Sequence, residues 1–167
     1  MNLILFGPPG AGKGTQSQKI VKNYKYIQIS TGDLLRNEIK KDTNLGKKIN
    51  NKISKGEFVE DELVNSLIVD VVSNENNKNK IIFDGYPRNI SQAKKLDDIL
   101  LNHNQTIGAI IYLDVSREVI KKRILGIINN GKTKKNCTIK KLLYFSILLF
   151  LIKFFNGVIT RYIIIQI

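Results

Sequence analysis

The sequence predicts an α/β protein in which a parallel sheet carries helices on both faces. Three observations predict it. Short apolar runs, "LILF", "YIQI", "IIFD" and "AIIYLD", alternate with stretches of helical spacing. The first run passes straight into a glycine-rich loop, "GPPGAGKGTQ". Polar or conformationally special residues stand where the other runs end, "STGD" after the second and "DGYPR" after the third. A parallel sheet binds ligands beyond the carboxyl ends of its strands, so the three observations point to one edge of one sheet.

Each element follows from its residues. Leu3–Phe6 reads as a buried strand and Lys13–Asn23 as the helix after the loop. Tyr26–Ile29 is a second strand, after which Thr31 is expected to cap a helix over "GDLLRNEIKK". "NLGKKINNKIS" reads as another short helix. From Glu60 on, Leu63, Val64, Leu67, Ile68, Val71 and Val72 share one helical face. The spacer "SNENNKNK" leads to the strand "IIFD", Ser91 is expected to cap "QAKKLDDILL", and Ser116 to open "REVIKKRIL" after the fourth strand.

The loop carries the clearest chemistry. A helix that begins directly after a glycine-rich turn aims free backbone N–H groups, and the positive end of its dipole, at one spot. Gly7, Gly10, Gly12 and Gly14 allow close approach to phosphate oxygens, while Pro8 and Pro9 stiffen the turn. Lys13 adds a point charge for β- and γ-phosphates, and a hydroxyl near the helix start, Thr15, suits a magnesium ion. The pattern departs from G-x-x-x-x-G-K-[ST] in one respect: Gly14 follows Lys13, and Thr15 comes one place later.

Composition narrows the field. The 167 residues, 43% hydrophobic and 25% charged, suit one globular domain with a core. Cys137 is the only cysteine, which rules out an intrachain disulfide. Met1 opens directly into an apolar strand, so no signal peptide and a cytoplasmic location are expected. The formal charge of +13 invites a nucleic-acid reading, but its distribution argues against one. Residues 1–118 hold all 14 acids and 17 of the 27 Lys and Arg, whereas residues 119–167 hold ten cations and no acid. No nucleic-acid partner is therefore expected; a membrane partner is not expected either, and the chain is expected to be a monomer.

"GPPGAGKGTQ" with its inserted glycine, followed in order by "ISTGDLLR" (Ile29–Arg36), "GEFVEDELV" (Gly56–Val64) and "FDGYPRNISQA" (Phe83–Ala93), resembles adenylate kinase within the nucleoside monophosphate kinases. The resemblance runs from Met1 to about Gly126. It implies a P-loop NTPase-like core over residues 1–126 with a small helical AMP-binding insertion at about 30–59, and transfer of a phosphoryl group between Mg-ATP and AMP to give two ADP. It assigns Gly10, Ala11, Gly12, Lys13, Gly14, Thr15 and Arg123 to ATP. To AMP it assigns Thr31, Arg36, Glu57, Phe58, Val59, Gly85, Tyr86, Pro87, Arg88 and Gln92. Lys13, Arg88 and Arg123 would carry the catalytic charge.

Physical reasons stand beside these assignments. The guanidinium fork of Arg36 or Arg88 pairs two phosphate oxygens and stays charged. Gln92 gives and accepts a hydrogen bond at once, as an adenine edge requires. Asp84 ends an apolar run where phosphate-loop enzymes place the carboxylate that organises magnesium through water. Asp33 either assists it or simply favours a helix N-terminus. Thr31 and Gln92 favour AMP over the runner-up acceptors, UMP and CMP.

Residues 127–167 depart from the family. Arg123 fits the first arginine of its "RI-x-GR" motif, but Ile127 stands at the second. The family's lid, paired arginines and last strand are not legible, and Cys137 alone excludes a four-ligand zinc lid, so no structural zinc is expected. Leu142–Ile152, eleven residues broken only by Ser146, is shorter than the roughly 18–20 a membrane helix needs. The tail, dense in Ile, Phe, Lys and Asn without clear pattern, reads as sequence not selected for this fold, such as a frameshifted gene end. Within it, Arg161 matches neither expected arginine site, and "RYIIIQI" is expected to serve as a replacement strand. Missing lid arginines put turnover in doubt, leaving a nucleotide-binding remnant as the second reading.

Overall fold

The computed structural model describes residues 1–57, 59–129 and 162–166, with backbone alone at 126–129 and 162–166. Phe58, Cys137 and Arg161 lie outside the described residues, as do the readings made on 130–161.

Among the described residues five strands, β1 (Asn2–Phe6), β2 (Ile27–Ser30), β3 (Ile81–Asp84), β4 (Ile107–Asp114) and β5 (Tyr162–Gln166), form one sheet in the order β2-β3-β1-β4-β5. Every pairing is parallel. The helices are α1 (Lys13–Tyr24), α2 (Thr31–Lys40), α3 (Asn44–Ser54), α4 (Asp61–Val72), α5 (Ile90–Asn102) and α6 (Arg117–Asn129). The fold expected from the alternation of runs is the fold found. Tyr162–Gln166 pairs along β4 from Ile110↔Tyr162 to Asp114↔Gln166, the strand expected of "RYIIIQI". The helix read over "REVIKKRIL" runs further than that stretch, α6 continuing to Asn129.

Alternation along β1 divides the core. Ile4 and Phe6 face one layer with Ile29, Phe83, Val64, Ile68, Leu96 and Leu100, so α4 and α5 cover that face. Leu3 and Leu5 face the other with Ala109, Ile111, Leu113 and Ile120, against which Ile20, Val21 and Ile124 pack, so α1 and α6 cover that one. Burial on both faces is what makes these strands continuous apolar runs. Each fully buried Ile, Leu or Phe contributes roughly 1.5–3 kcal/mol.

The two ends of the sheet differ. At the amino-terminal end, buried Asn2 donates to Gln105 Oε1 (3.1 Å) and accepts from the Ile81 N–H (3.0 Å), while Gln105 Nε2 donates to the Val72 carbonyl (2.8 Å). These buried polar groups satisfy one another and seal that end. The carboxyl end holds the loops. Leu5 lies in register with Asp84, so the loops after β1 and β3 leave the sheet side by side.

Two expected caps are corrected. Ser30, not Thr31, occupies the N-cap of α2, and Thr31 is its first helical residue. Asn89, not Ser91, caps α5: its Oδ1 accepts from the Gln92 N–H at 2.8 Å, reaching an amide three residues on, as a cap must. Ser116 opens α6 as expected, its Oγ accepting from the Val119 N–H at 3.4 Å.

Candidate active site

The glycine loop begins where β1 ends. Gly7 has φ +153°, and a Cβ there would sit 3.1 Å from both the Cβ and the carbonyl oxygen of Leu113, so the loop passes β4 where only glycine fits. The chain turns with the Ala11 N–H on the Pro8 carbonyl (3.0 Å) and enters α1 through Gly12, whose φ of +94° suits a residue without Cβ. The first turn of α1 holds no acid, so its exposed N–H groups keep their positive field. Lys13 Nζ donates to the carbonyls of Gly7 (2.9 Å) and Pro8 (3.4 Å), which folds the ammonium back along the loop. Gly14 and Thr15 face outward.

On the sheet face it shares with α1, α6 closes on this loop, with Ile120 and Ile124 beside Gly10. Arg123 Nη1 donates to the carbonyls of Gly10 (3.3 Å) and Ala11 (3.1 Å). Residues more than a hundred positions apart thus meet over Gly10–Gly12.

The second group of polar residues follows β3. Asp84 ends the strand half-buried, with Oδ2 accepting from Gln28 Nε2 at 2.9 Å. Gly85 turns at φ +74°, and a cis Tyr86–Pro87 peptide leads to Arg88. The Arg88 guanidinium is held at two points: Nε donates to the Gly85 carbonyl (2.7 Å) and Nη2 to Thr31 Oγ1 (2.8 Å). Thr31 is buried at the start of α2, where its hydroxyl orients an arginine rather than capping a helix. Tyr86 is fully buried and its hydroxyl donates to Asn65 Oδ1 at 2.6 Å. Burial first, and the charge of Asp61 second, push this phenol above the ordinary tyrosine range.

Gln92, also buried, sits behind Arg88. Its Oε1 accepts from the Arg88 main-chain N–H (2.7 Å), and its Nε2 donates to Asp61 Oδ1 (2.6 Å). Asp61 Oδ2 accepts from Asn89 Nδ2 (2.9 Å). Asp61, Asn65 and Asn89 were not singled out by sequence reasoning. Asn89 carried a readable signal, a capping side chain just ahead of a helical run, whereas Asp61 reads only as an acid at a helix start.

Other expected residues lie apart from this cluster. Arg36 pairs with Asp33 at 2.5 Å, both side chains largely exposed, and makes no contact with Arg88 among the described bonds. Val59 packs half-buried against the core. Glu57 is exposed and lines an open recess of about 530 Å³ with Lys48, Lys52, Lys55 and Glu60. That recess lies between α3 and the start of α4, bridged by the Lys52–Glu60 ion pair, and no glycine-loop residue or Arg88 lines it. The geometry of Lys13, Arg88 and Arg123, not the size of the recess, marks the candidate site.

Among the described residues no three His, Cys, Asp or Glu gather to hold a metal, and no helix is long and apolar enough to cross a membrane. Asp84 and Thr15 offer a carboxylate and a hydroxyl, the hard oxygen donors that suit magnesium carried on a polyphosphate.

Residues 5–157 match the family model described as Adenylate kinase. The adenylate kinase of Pelagibacter ubique is 57% identical over 126 residues, 75% of this chain and 59% of that protein. That of Mycoplasma mycoides subsp. mycoides is 44% identical over 124 residues, 74% of this chain and 57% of its own length. That of Prochlorococcus marinus subsp. pastoris is 44% identical over 139 residues, 83% of this chain and 73% of its own. The chain thus spans less than two thirds of the first two relatives. With a phosphate-type loop, an arginine turn after the neighbouring strand and a family match over most of its length, the chain belongs to the adenylate kinase family.

Proposed function

We propose that this chain transfers a phosphoryl group reversibly between magnesium-bound ATP and AMP, giving two ADP. The observation that carries the reading is the register of β1 and β3. Leu5 opposite Asp84 sets the glycine loop and the Arg88 turn next to each other, so a donor polyphosphate on one meets an acceptor phosphate on the other. Such chemistry needs two nucleotides held in line and cations around the spreading charge, with little covalent help.

In this reading the amides of Gly10–Thr15 bind the donor phosphates. Lys13 turns from the Gly7 and Pro8 carbonyls toward the β- and γ-oxygens, and Arg123 turns from Gly10 and Ala11 to the transferring group. Arg88, with Arg36 beside α2, grips the acceptor's α-phosphate, while Thr31, Val59 and Gln92 hold its nucleoside. Gln92 has one N–H and one lone pair left after its two protein bonds, enough for a base edge. Asp84 and Thr15 hold magnesium, directly or through water; when bound, the ion neutralises charge on the phosphates.

A coupled assay for ADP formation, with AMP, CMP and UMP as acceptors, tests the proposal. AMP-dependent turnover is expected, and its absence in folded protein overturns it. Ile127, at the place of the family motif's second arginine, favours a second reading of nucleotide binding with little turnover. Calorimetry with a bisubstrate dinucleotide separates the two: uptake without turnover supports the latter.

A further inference from the structure

Gln92 is held at both ends of its amide by groups that cannot exchange roles. The main-chain N–H of Arg88, on Oε1 at 2.7 Å, is only a donor, and the Asp61 carboxylate, on Nε2 at 2.6 Å, takes a proton rather than gives one. Turning the amide over would set N–H against N–H at one end and oxygen against oxygen at the other. Asp61 is itself fixed. Its second oxygen takes Asn89 Nδ2 at 2.9 Å, and Asn89 Oδ1 returns to the Gln92 N–H at 2.8 Å, which closes a ring of three side chains. One helical turn along α4, Asn65 takes the Tyr86 hydroxyl at 2.6 Å, so the same face of the helix holds the turn and the start of α5 together.

A glutamine that turns freely reads two base edges equally well. A 6-aminopurine offers an N–H beside a ring-nitrogen acceptor; a 6-oxopurine offers a carbonyl beside a ring N–H. With its amide locked, Gln92 presents one remaining lone pair and one remaining N–H in a fixed order. We propose that Asp61 is a positioning residue that locks the Gln92 amide and thereby makes the acceptor site prefer a 6-aminopurine nucleotide over its 6-oxopurine counterpart. The inference rests on the acceptor reading of Arg88 and Gln92 above. Asp61 touches no substrate and acts only through Gln92.

AMP and IMP differ at this edge and little elsewhere, so their dissociation constants are the probe. In calorimetry the unaltered chain is expected to prefer AMP, and Asp61→Asn, which supplies one oxygen where two are used, is expected to shrink that preference about tenfold, the worth of roughly one hydrogen bond. A folded Asp61→Asn protein with its preference intact, or with both nucleotides weakened in parallel, overturns the inference while leaving the acceptor reading in place. If the unaltered chain takes neither nucleotide, the acceptor reading falls and this inference with it. A second measurement needs no variant. In the ligand-free chain, nitrogen-15 NMR should show the Gln92 side-chain N–H on Asp61 slow to exchange with solvent; rapid exchange of both protons means no lock and overturns the proposal.

Discussion

The two halves of the candidate site are built from different materials. The glycine loop is a local object: Gly7 to Thr15, nine consecutive residues, shape a cradle of main-chain N–H groups, and the lysine that belongs to it bonds its own loop. The Arg88 side is a long-range object made of side chains. Its guanidinium leans on Thr31, 57 residues away, and Gln92 leans on Asp61, 31 residues away. Backbone cradles depend on conformation and tolerate neighbours; side-chain cradles depend on the rotamer of every member. The comparison predicts that single substitutions on the glycine-loop side matter through charge and φ, and on the Arg88 side through geometry.

The largest effect is expected at Lys13. Lys13→Ala removes the one cation carried by the loop itself and should lower ADP formation roughly 10²–10³-fold, in the range of losing one preorganised electrostatic donor. Because Lys13 packs against carbonyls rather than into the core, the melting temperature should stay near that of the unaltered chain. Loss of fold in parallel with activity would blur the contrast between the halves.

Arg88→Lys comes next and tests the geometric half. The charge is kept, but the fork that reaches Gly85 and Thr31 at once is lost. A fall of about 100-fold in kcat/KM for the acceptor is expected, with the KM for ATP nearly unmoved, since misplacement alone has that scale. Equal rises in both KM values would mean that the halves are not separable.

The same contrast explains what could be read in advance. The loop, the strands and most helices were legible because apolar runs, glycines and caps act within a few residues. A residue whose partner is distant, or whose neighbours compete for its role, is not legible in this way. Thr31 looked like a cap, but its hydroxyl serves Arg88, and the N-cap position falls to Ser30. Ser91 and Asn89 both had capping side chains, and only Asn89 stands three residues before a helical N–H that needs a partner. Asp61 carried the ordinary meaning of an acid in a first helical turn, while its bonds run 28 and 31 residues along the chain. Tyr162–Gln166 lies in a tail without clear pattern, where only the run of isoleucines points to a strand.

Gly46→Ala carries the comparison to α3, which packs on the helix that bears Thr31 and Arg36. Here α3 crosses α2 so closely that a Cβ on Gly46 would lie 2.5 Å from the Glu38 carbonyl oxygen and 3.2 Å from the Ile39 Cα. Those are backbone atoms, so the hairpin must spread, at a cost of about 1–3 kcal/mol. Thermal unfolding should report that loss. A shift in the AMP dissociation constant larger than any shift for ATP would show that the Arg88 side depends on this packing.

The smallest effect expected is a pH dependence at the same hairpin. Glu38 is buried, accepting from Lys41 Nζ (2.8 Å) and from Thr43 Oγ1 (2.7 Å), and Thr43 in turn caps α3 through the Gly46 N–H. The bond from Lys41 first, and that from Thr43 second, hold this carboxyl below the ordinary glutamate range. A depressed folded pKa adds stability that is complete above the unfolded value and is lost as pH falls through the folded one. Acid should therefore loosen α2 and α3 before α1, which has no acid in its first turn to protonate. Amide exchange followed downward from neutral pH should lose protection in residues 44–54 at a higher pH than in residues 13–24. In Glu38→Gln, which has no charge to neutralise, that early loss should disappear. Equal acid sensitivity of the two segments in the unaltered chain would show that the hairpin does not owe its hold to the ionised form of Glu38.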